Sequence, residues 1–482
     1  MTPRRPTVRS RPLRVGRLRH ALAAAIAVTA AHPALADDAP APSAAPAPSA
    51  APAPRAAPAS TPSPNRALPD YEGRPPPSPS AGEVALWIPR ILFSPVWFVS
   101  EFVIRRPIGA ALTAAERANL PSVLYDFFAF GPDHKAGFAP VLFVDFGFNP
   151  SVGLYFFWND AFFKGNEFRL HASTWGEDWV MANFKERIHL TKRDTFAWGV
   201  GYTRRPDYVF YGIGPMTLQS AQSRYGEDRL DAGLSLSSVV WRGSHVETAL
   251  GLRTAKTYDG TFGDDPRLSQ QVRAGVFSMP SDFGSPYTIV TSRTAAAFDT
   301  RRPYPAPGSG FRVEGQGTVS GTATGEPPAS WIRWDAGAAG YVDLDGHRRI
   351  LSLGAEALFA DPLGSGAIPF TELVSLGGDL APMPGFYAGR LVDRSAAVAT
   401  LRYRWPIGPY ISGSLEAAVG NVFGEHLDGF DPKLLRFESA LGIQSDMSPD
   451  SDVHILIGFG TETFDHGTQI DTVRLAFGTS RF

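Results

Sequence analysis

From about residue 141 to the C-terminus, apolar and polar side chains alternate with a period of two. Phe196, Trp198, Val200 and Tyr202 alternate with Ala197, Gly199 and Gly201. Phe311, Val313 and Val319 alternate with Arg312, Glu314, Gln316, Thr318 and Ser320. Leu351, Leu353, Ala355, Ala357 and Phe359 alternate with Ser352, Gly354 and Glu356, and Leu401, Tyr403 and Trp405 with Thr400, Arg402 and Arg404. Successive side chains of a strand point to opposite faces, so each run predicts a strand with one apolar and one polar face. The runs are commonly about ten residues long, which is what a tilted membrane-crossing strand needs. They continue over roughly 340 residues, more than one sandwich uses. The fold class expected is all-β and transmembrane, an antiparallel barrel of about 16 strands. In lipid every backbone N–H and C=O must be paired within the protein, so the first and last strands should meet.

The N-terminal part has no such alternation. Residues 1–20 carry Arg4, Arg5, Arg9, Arg11, Arg14, Arg17 and Arg19 and no acid, the run Ala21–Ala31 is apolar, and Ala34-Leu35-Ala36 precedes Asp37. A basic region, an apolar core and a small-x-small site in that order read as an export signal over 1–36. Residues 37–82 are dominated by Ala, Pro and Ser, a composition that favours solvated, extended backbone and reads as a disordered linker. Within 83–136, Pro89, Pro95, Arg90 and Glu101 interrupt an apolar stretch that is too short for a helical span. After Pro95 it becomes amphipathic, which predicts an interfacial helix and then a connector into a barrel over 137–482.

Composition sharpens this picture. Hydrophobic residues make up 44% of the 482, an ordinary fraction that a barrel explains by alternating lipid-facing and lumen-facing positions. The 33 Phe, 14 Tyr and 10 Trp suit aromatic girdles at two membrane interfaces. A net charge of −2 offers no basic field for nucleic acid, and the absence of Cys excludes disulfides and thiolate metal sites. No HExxH, phosphate-binding loop or G-x-S-x-G elbow is present, so neither an enzyme nor a cofactor is expected. Asp343-Leu344-Asp345-Gly346 resembles a calcium loop only in part and reads as a turn. The polar phase of the strands gathers Arg312, Glu314, Glu356, Arg402, Arg404, Glu416 and Glu438, together with Glu247, Arg253 and Arg436. These side chains either satisfy one another in the lumen, or clamp a loop, or line a pore.

Several segments resemble the bacterial surface antigen family, the BamA/TamA type of outer-membrane barrel. Phe210-Tyr211-Gly212-Ile213-Gly214 is similar to the family's FYGIGN stretch, with Pro215 in place of Asn. Phe298-Asp299-Thr300-Arg301-Arg302 followed by Gly308–Glu314 is similar to its DTRD strand-turn-strand segment. Leu376-Gly377-Gly378, then Gly385–Arg394, then Arg402–Pro406 match the pattern of its sixth outer loop and the strand after it. The resemblance implies an outer-membrane location, contact with outer-membrane lipids, and the barrel assembly machinery as a partner during biogenesis. It also implies a role in handling outer-membrane proteins or lipids, with an unknown periplasmic partner. In the family an Arg precedes the loop's Gly-Phe; here that position is Pro384. No POTRA-like β/α repeat of about 75 residues is visible before the barrel, so a passive pore or structural barrel remains an alternative.

The connection 361–395 is too long for a hairpin and carries Gly385, Phe386, Arg390 and Arg394, a mixture unsuited to a free loop tip. It is expected to fold into the lumen. There Arg390 or Arg394 would pair with Glu314, Glu356 or Glu416.

Overall fold

A computed structural model of the chain describes residues 127–302, 308–325, 327–379, 381–407, 411–445 and 453–479. Before residue 127 it describes only positions 91, 94, 98, 102 and 106. The export signal, the linker and the interfacial helix therefore lie outside the described residues, as does the terminal Phe482.

Sixteen antiparallel strands form one closed ring. In chain order they are β1 (Ala136–Asp145), β2 (Ser151–Asn159), β3 (Asn166–Thr174), β4 (Val180–His189), β5 (Asp194–Phe210), β6 (Ser223–Trp241), β7 (Ser244–Asp259) and β8 (Tyr287–Asp299). There follow β9 (Gly310–Thr324), β10 (Ser330–Asp343), β11 (Ile350–Pro362), β12 (Ser395–Pro406), β13 (Ile411–Phe423), β14 (Arg436–Ser445), β15 (Val453–Thr463) and β16 (Ile470–Thr479). Each strand pairs with the next, and β16 pairs back on β1. Among the described residues no helix is long and apolar enough to cross a membrane; the crossing elements are the strands.

The alternation read from the sequence is the inside–outside alternation of the wall. Leu154, Trp198, Leu234, Val313, Leu353 and Ile457 are exposed on the outer face, where lipid would cover them. Phe156, Phe168, Phe184 and Trp198 form a chain of ring contacts with centroids 6.0, 4.9 and 4.8 Å apart. Trp241, Phe298 and Phe311 make a second run, with spacings of 5.6 and 5.7 Å. Both runs lie at the end of the barrel where β1 begins, and they form the girdle expected at one membrane interface. That end also carries short connections such as 190–193 and 242–243, whereas 260–286 and 363–394 leave from the other end. Short turns are periplasmic and long loops are extracellular in this architecture.

The apolar core sits inside the outer half of the ring. Leu376, Met383, Phe386, Leu391 and Val392 from the 363–394 connection pack on Phe210, Ile289, Trp331, Leu358 and Val422 of the wall, with Leu268 and Phe370. A lumen filled this way hides apolar loop residues that could not face water. Asp343-Leu344-Asp345-Gly346 is a hairpin turn in which Asp343 accepts the N–H groups of Gly346 and Arg348, both at 3.1 Å.

Candidate functional site

The long connection is held by its own short ladder, in which Val374 and Ser375 pair with Asp393 and Val392. This folds residues 376–391 back into the barrel. Gly385 donates its N–H to Glu438 Oε2 at 2.6 Å. A side chain at Gly385 would overlap that carboxylate, so the close approach requires glycine. Phe386 is fully buried and lies flat on β15 where Gly460 leaves the wall bare.

Arg390, also fully buried, occupies the centre of a quartet. It donates to Asp471 Oδ2 at 2.5 and 2.9 Å, to Thr217 Oγ1 at 2.7 Å and to the Thr217 carbonyl at 2.9 Å. Arg436 of β14 donates to Glu462 at 2.9 Å and to the same Thr217 carbonyl at 2.8 Å. Two guanidinium groups thus face two carboxylates, and the buried charge balances. The Arg390 guanidinium also lies 4.8 Å from the centre of the Tyr211 ring. Gly214 donates its N–H to the Val392 carbonyl at 3.0 Å. The Phe210–Gly214 segment is therefore part of the seat for the loop.

A second cluster lies where the ring closes. Arg474 of β16 is buried and donates to Asp145 of β1 at 2.6 Å, to Asp379 of the loop at 2.5 Å and to the Pro384 carbonyl at 3.0 Å. The Tyr387 hydroxyl shares its proton between the carbonyls of Phe146 and Val473, at 3.0 and 3.1 Å. Burial pushes the Tyr387 phenol up from its ordinary pKa, so it stays a donor. Gly147, at φ 97°, passes beneath this hydroxyl with no room for a side chain at ordinary contact.

Residues 163–437 match the Omp85 superfamily domain, more than half of the chain. The chain belongs to the Omp85 superfamily. This agrees with the sequence resemblance to the BamA/TamA type and places the barrel in the outer membrane. Among solved structures it is similar to BamA from Haemophilus ducreyi lacking POTRA domains 1–3, at 16% identity, with 72% of this chain and 70% of that chain covered and a TM-score of 0.49. It is also similar to CdiB from Acinetobacter baumannii, at 12% identity, covering 72% of this chain and 59% of that one, with a TM-score of 0.44. No curated protein matches it.

The geometry of this Omp85 barrel corrects the expected ion partners. Neither Arg390 nor Arg394 reaches Glu314, Glu356 or Glu416. Arg390 pairs with Asp471, while Arg394 stays at the outer rim and pairs with Glu425 at 3.1 Å. The loop docks against the outer ends of β14–β16, and the three expected glutamates lie deeper in the barrel. Arg402 pairs with Glu416 at 2.5 Å, and Arg312 with Glu314 at 2.5 Å. Arg404 donates to Ser412 Oγ at 3.1 Å.

Arg312, Glu314, Glu356, Arg402 and Arg404 surround one cavity of about 360 Å³. A neighbouring cavity of about 650 Å³ shares Glu356 and Pro382 with it and reaches His171, Ser173, Arg205 and Asp379. The first runs from Pro382 of the loop to Arg301 and Ile350 at the inner end, while the second mixes polar and apolar lining, with Val141, Trp179 and Leu358 beside His171 and Arg205. Among the described residues, Asp361, Glu425 and His426 bring three ligand-type atoms within 4.8 Å of one another. The cation at that cluster is Arg394, on Glu425. The sequence reading missed Asp145, Asp379, Asp471 and Arg474. Arg474 was legible in principle, as an isolated charge in the inward phase between the outward Val473 and Leu475.

Proposed function

We propose that this barrel assembles or translocates outer-membrane proteins by parting at the β1–β16 seam, and that the 363–394 loop holds the seam shut. The observation that carries the reading is the seam itself. Among the described residues, β16 meets β1 at three register pairs, Asp145–Ala476, Val144–Phe477 and Phe143–Gly478. The flanking interfaces β1–β2 and β15–β16 have eight and nine. Phe146 donates its N–H across the seam to the Leu475 carbonyl at 2.9 Å. Backbone N–H groups alternate sides along a strand, so Pro140, in phase with Phe146, faces the seam with no N–H to give. Proline in a sheet belongs at an edge, and at this position β1 cannot donate to a neighbouring strand. The Arg474–Asp145–Asp379 cluster and Tyr387 then add side-chain bonds where backbone bonds are few. The reading assigns the barrel no chemical reaction.

A passive or structural barrel is the second reading, and the buried Arg474–Asp145 pair favours it, since it staples the ends of the ring. One experiment separates the two. Val144→Cys/Phe477→Cys places a cysteine pair across the seam of a chain with no other cysteine. In proteoliposomes, the reduced protein should speed insertion of an unfolded outer-membrane protein, and oxidation should lower the rate at least tenfold. Equal rates in both states, or no acceleration over empty liposomes, would support the passive barrel.

A further inference from the structure

The pleat of β3 brings a hydroxyl and an imidazole together inside the barrel. Its period of two turns Arg169, His171 and Ser173 to the lumen, all three buried, while Leu170 is exposed on the outer face. Ser173 Oγ lies 2.6 Å from His171 Nε2. Gly153, opposite Ser173 on β2, makes room for the pair, since a side chain there would overlap the Ser173 hydroxyl. A serine within hydrogen-bond reach of an imidazole is the first requirement of an activated nucleophile. No sequence motif announces this pair, because it comes from the spacing of one strand and not from a strand–turn–helix elbow.

The pair opens on a cavity. His171 and Ser173 both line the space of about 650 Å³, a volume in the ordinary range for a small-molecule site. Val141, Phe143, Trp179 and Leu358 supply its apolar wall. Trp179 is only 4% exposed, and among the described residues its buried indole Nε1–H has no acceptor. A buried donor left unpaired is costly, and an entering acceptor would relieve it. The charges along the wall are already matched. Arg205 pairs with Asp207 at 2.6 Å, Arg333 with Asp335 at 3.7 Å and Asp379 with Arg474 at 2.5 Å. Glu356 adds one more carboxylate to the lining, so an uncharged ligand fits this cavity better than an anion.

We infer that Ser173 and His171 are a nucleophile–base pair that cleaves an uncharged carboxylic ester whose acyl chain lies in this cavity. The inference goes beyond the seam-opening reading and does not depend on it. Ser173 Oγ bonds to the ester carbonyl carbon while its proton passes to His171 Nε2. The carbon–oxygen bond to the leaving alcohol then breaks, and His171 Nε2 gives that proton to the departing oxygen. Water, losing a proton to His171 Nε2, next attacks the acyl-serine. The carboxylic acid departs, and the proton returns to Ser173 Oγ. The Trp179 indole N–H is a donor for the carbonyl oxygen.

An alkyl fluorophosphonate, which captures activated serines with loss of fluoride, tests this on the full-length protein in detergent micelles. Mass spectrometry should find the adduct on Ser173. Methyl octanoate should slow its formation, and the octanoate anion should not. His171→Gln fills similar space but is no base, and should lower the labelling rate at least tenfold. Ser173→Ala should abolish labelling and lower hydrolysis of p-nitrophenyl octanoate at least tenfold. Heat-modifiable gel migration checks that each variant is a closed barrel. Ser173→Cys keeps the shape of the site in a chain with no other cysteine. It should react with iodoacetamide at least tenfold faster than Ser173→Cys/His171→Gln, a difference that a merely structural contact would not produce. No adduct on Ser173, labelling unchanged in His171→Gln, protection by octanoate equal to that by the ester, or equal thiol reactivity in the two cysteine variants would overturn the inference. None of these readouts depends on insertion activity, so they fail separately from the proposed function.

Discussion

Arg390→Ala is expected to lower the unfolding free energy of the barrel by about 3–5 kcal/mol, the usual cost of leaving a buried carboxylate without its cation. The Asp471 side chain is fully buried, and in the variant Arg436 alone would face both Asp471 and Glu462. The Thr217 hydroxyl and carbonyl would each lose a charge-assisted bond as well. Arg390→Lys keeps the charge but cannot reach Asp471 and Thr217 with one planar fork, so it should recover only part of the loss. Arg390→Ala combined with Asp471→Asn should recover more, because the orphaned charge is removed. Lys256→Ala, at an exposed position on β7, should stay within about 0.5 kcal/mol. Urea titration of the lipid-reconstituted barrel, followed by gel migration of folded and unfolded forms, measures all four. A loss below about 1 kcal/mol for Arg390→Ala would contradict the quartet as the loop's anchor.

Arg474→Met should act on the seam specifically. It leaves Asp145 and Asp379, both bonded to the one guanidinium, close together and without it, and strips the Pro384 carbonyl of its donor. Loss of a buried cation between two carboxylates again costs about 3–5 kcal/mol, and here the cost falls on strands that share few backbone pairs. The rate of Val144→Cys/Phe477→Cys disulfide formation should drop at least fivefold in the Arg474→Met background. A cysteine pair placed across β6–β7 should be unaffected. Adding Asp379→Asn should restore part of the rate. Equal loss at both interfaces would mean that the substitution loosens the whole barrel and that Arg474 is no latch.

The fold was legible because a membrane wall imposes a strict period of two. Phe196–Tyr202 and Phe311–Ser320 show which side of the wall each residue faces before any pairing is known. The loop was legible from its length and from Phe386 and Arg390 in a segment without alternation. The partner of Arg390 was not legible. Which carboxylate it meets depends on how far the loop descends and on the stagger of β14–β16, and neither leaves a local signature. Strand ends were also hidden. β7 runs through Lys256 to Asp259, where no break in the sequence marks its end. The replacement of the family's loop arginine by Pro384 has its counterpart across the lumen. Arg474 sends a guanidinium from the wall to the Pro384 carbonyl, so the cation comes from the last strand and not from the loop.

Amide hydrogen exchange of the barrel in lipid nanodiscs reports local opening strand by strand, and so reads the β1–β16 seam against the rest of the wall. The seam-facing amides Leu142, Val144, Phe146, Val473, Leu475 and Phe477 should exchange at least tenfold faster than those of Leu230–Leu236 in β6, whose strand is paired on both sides. Arg474→Met should accelerate the seam further and leave β6 unchanged. Seam amides that exchange as slowly as those of β6, in both proteins, would contradict a barrel that opens between its first and last strands.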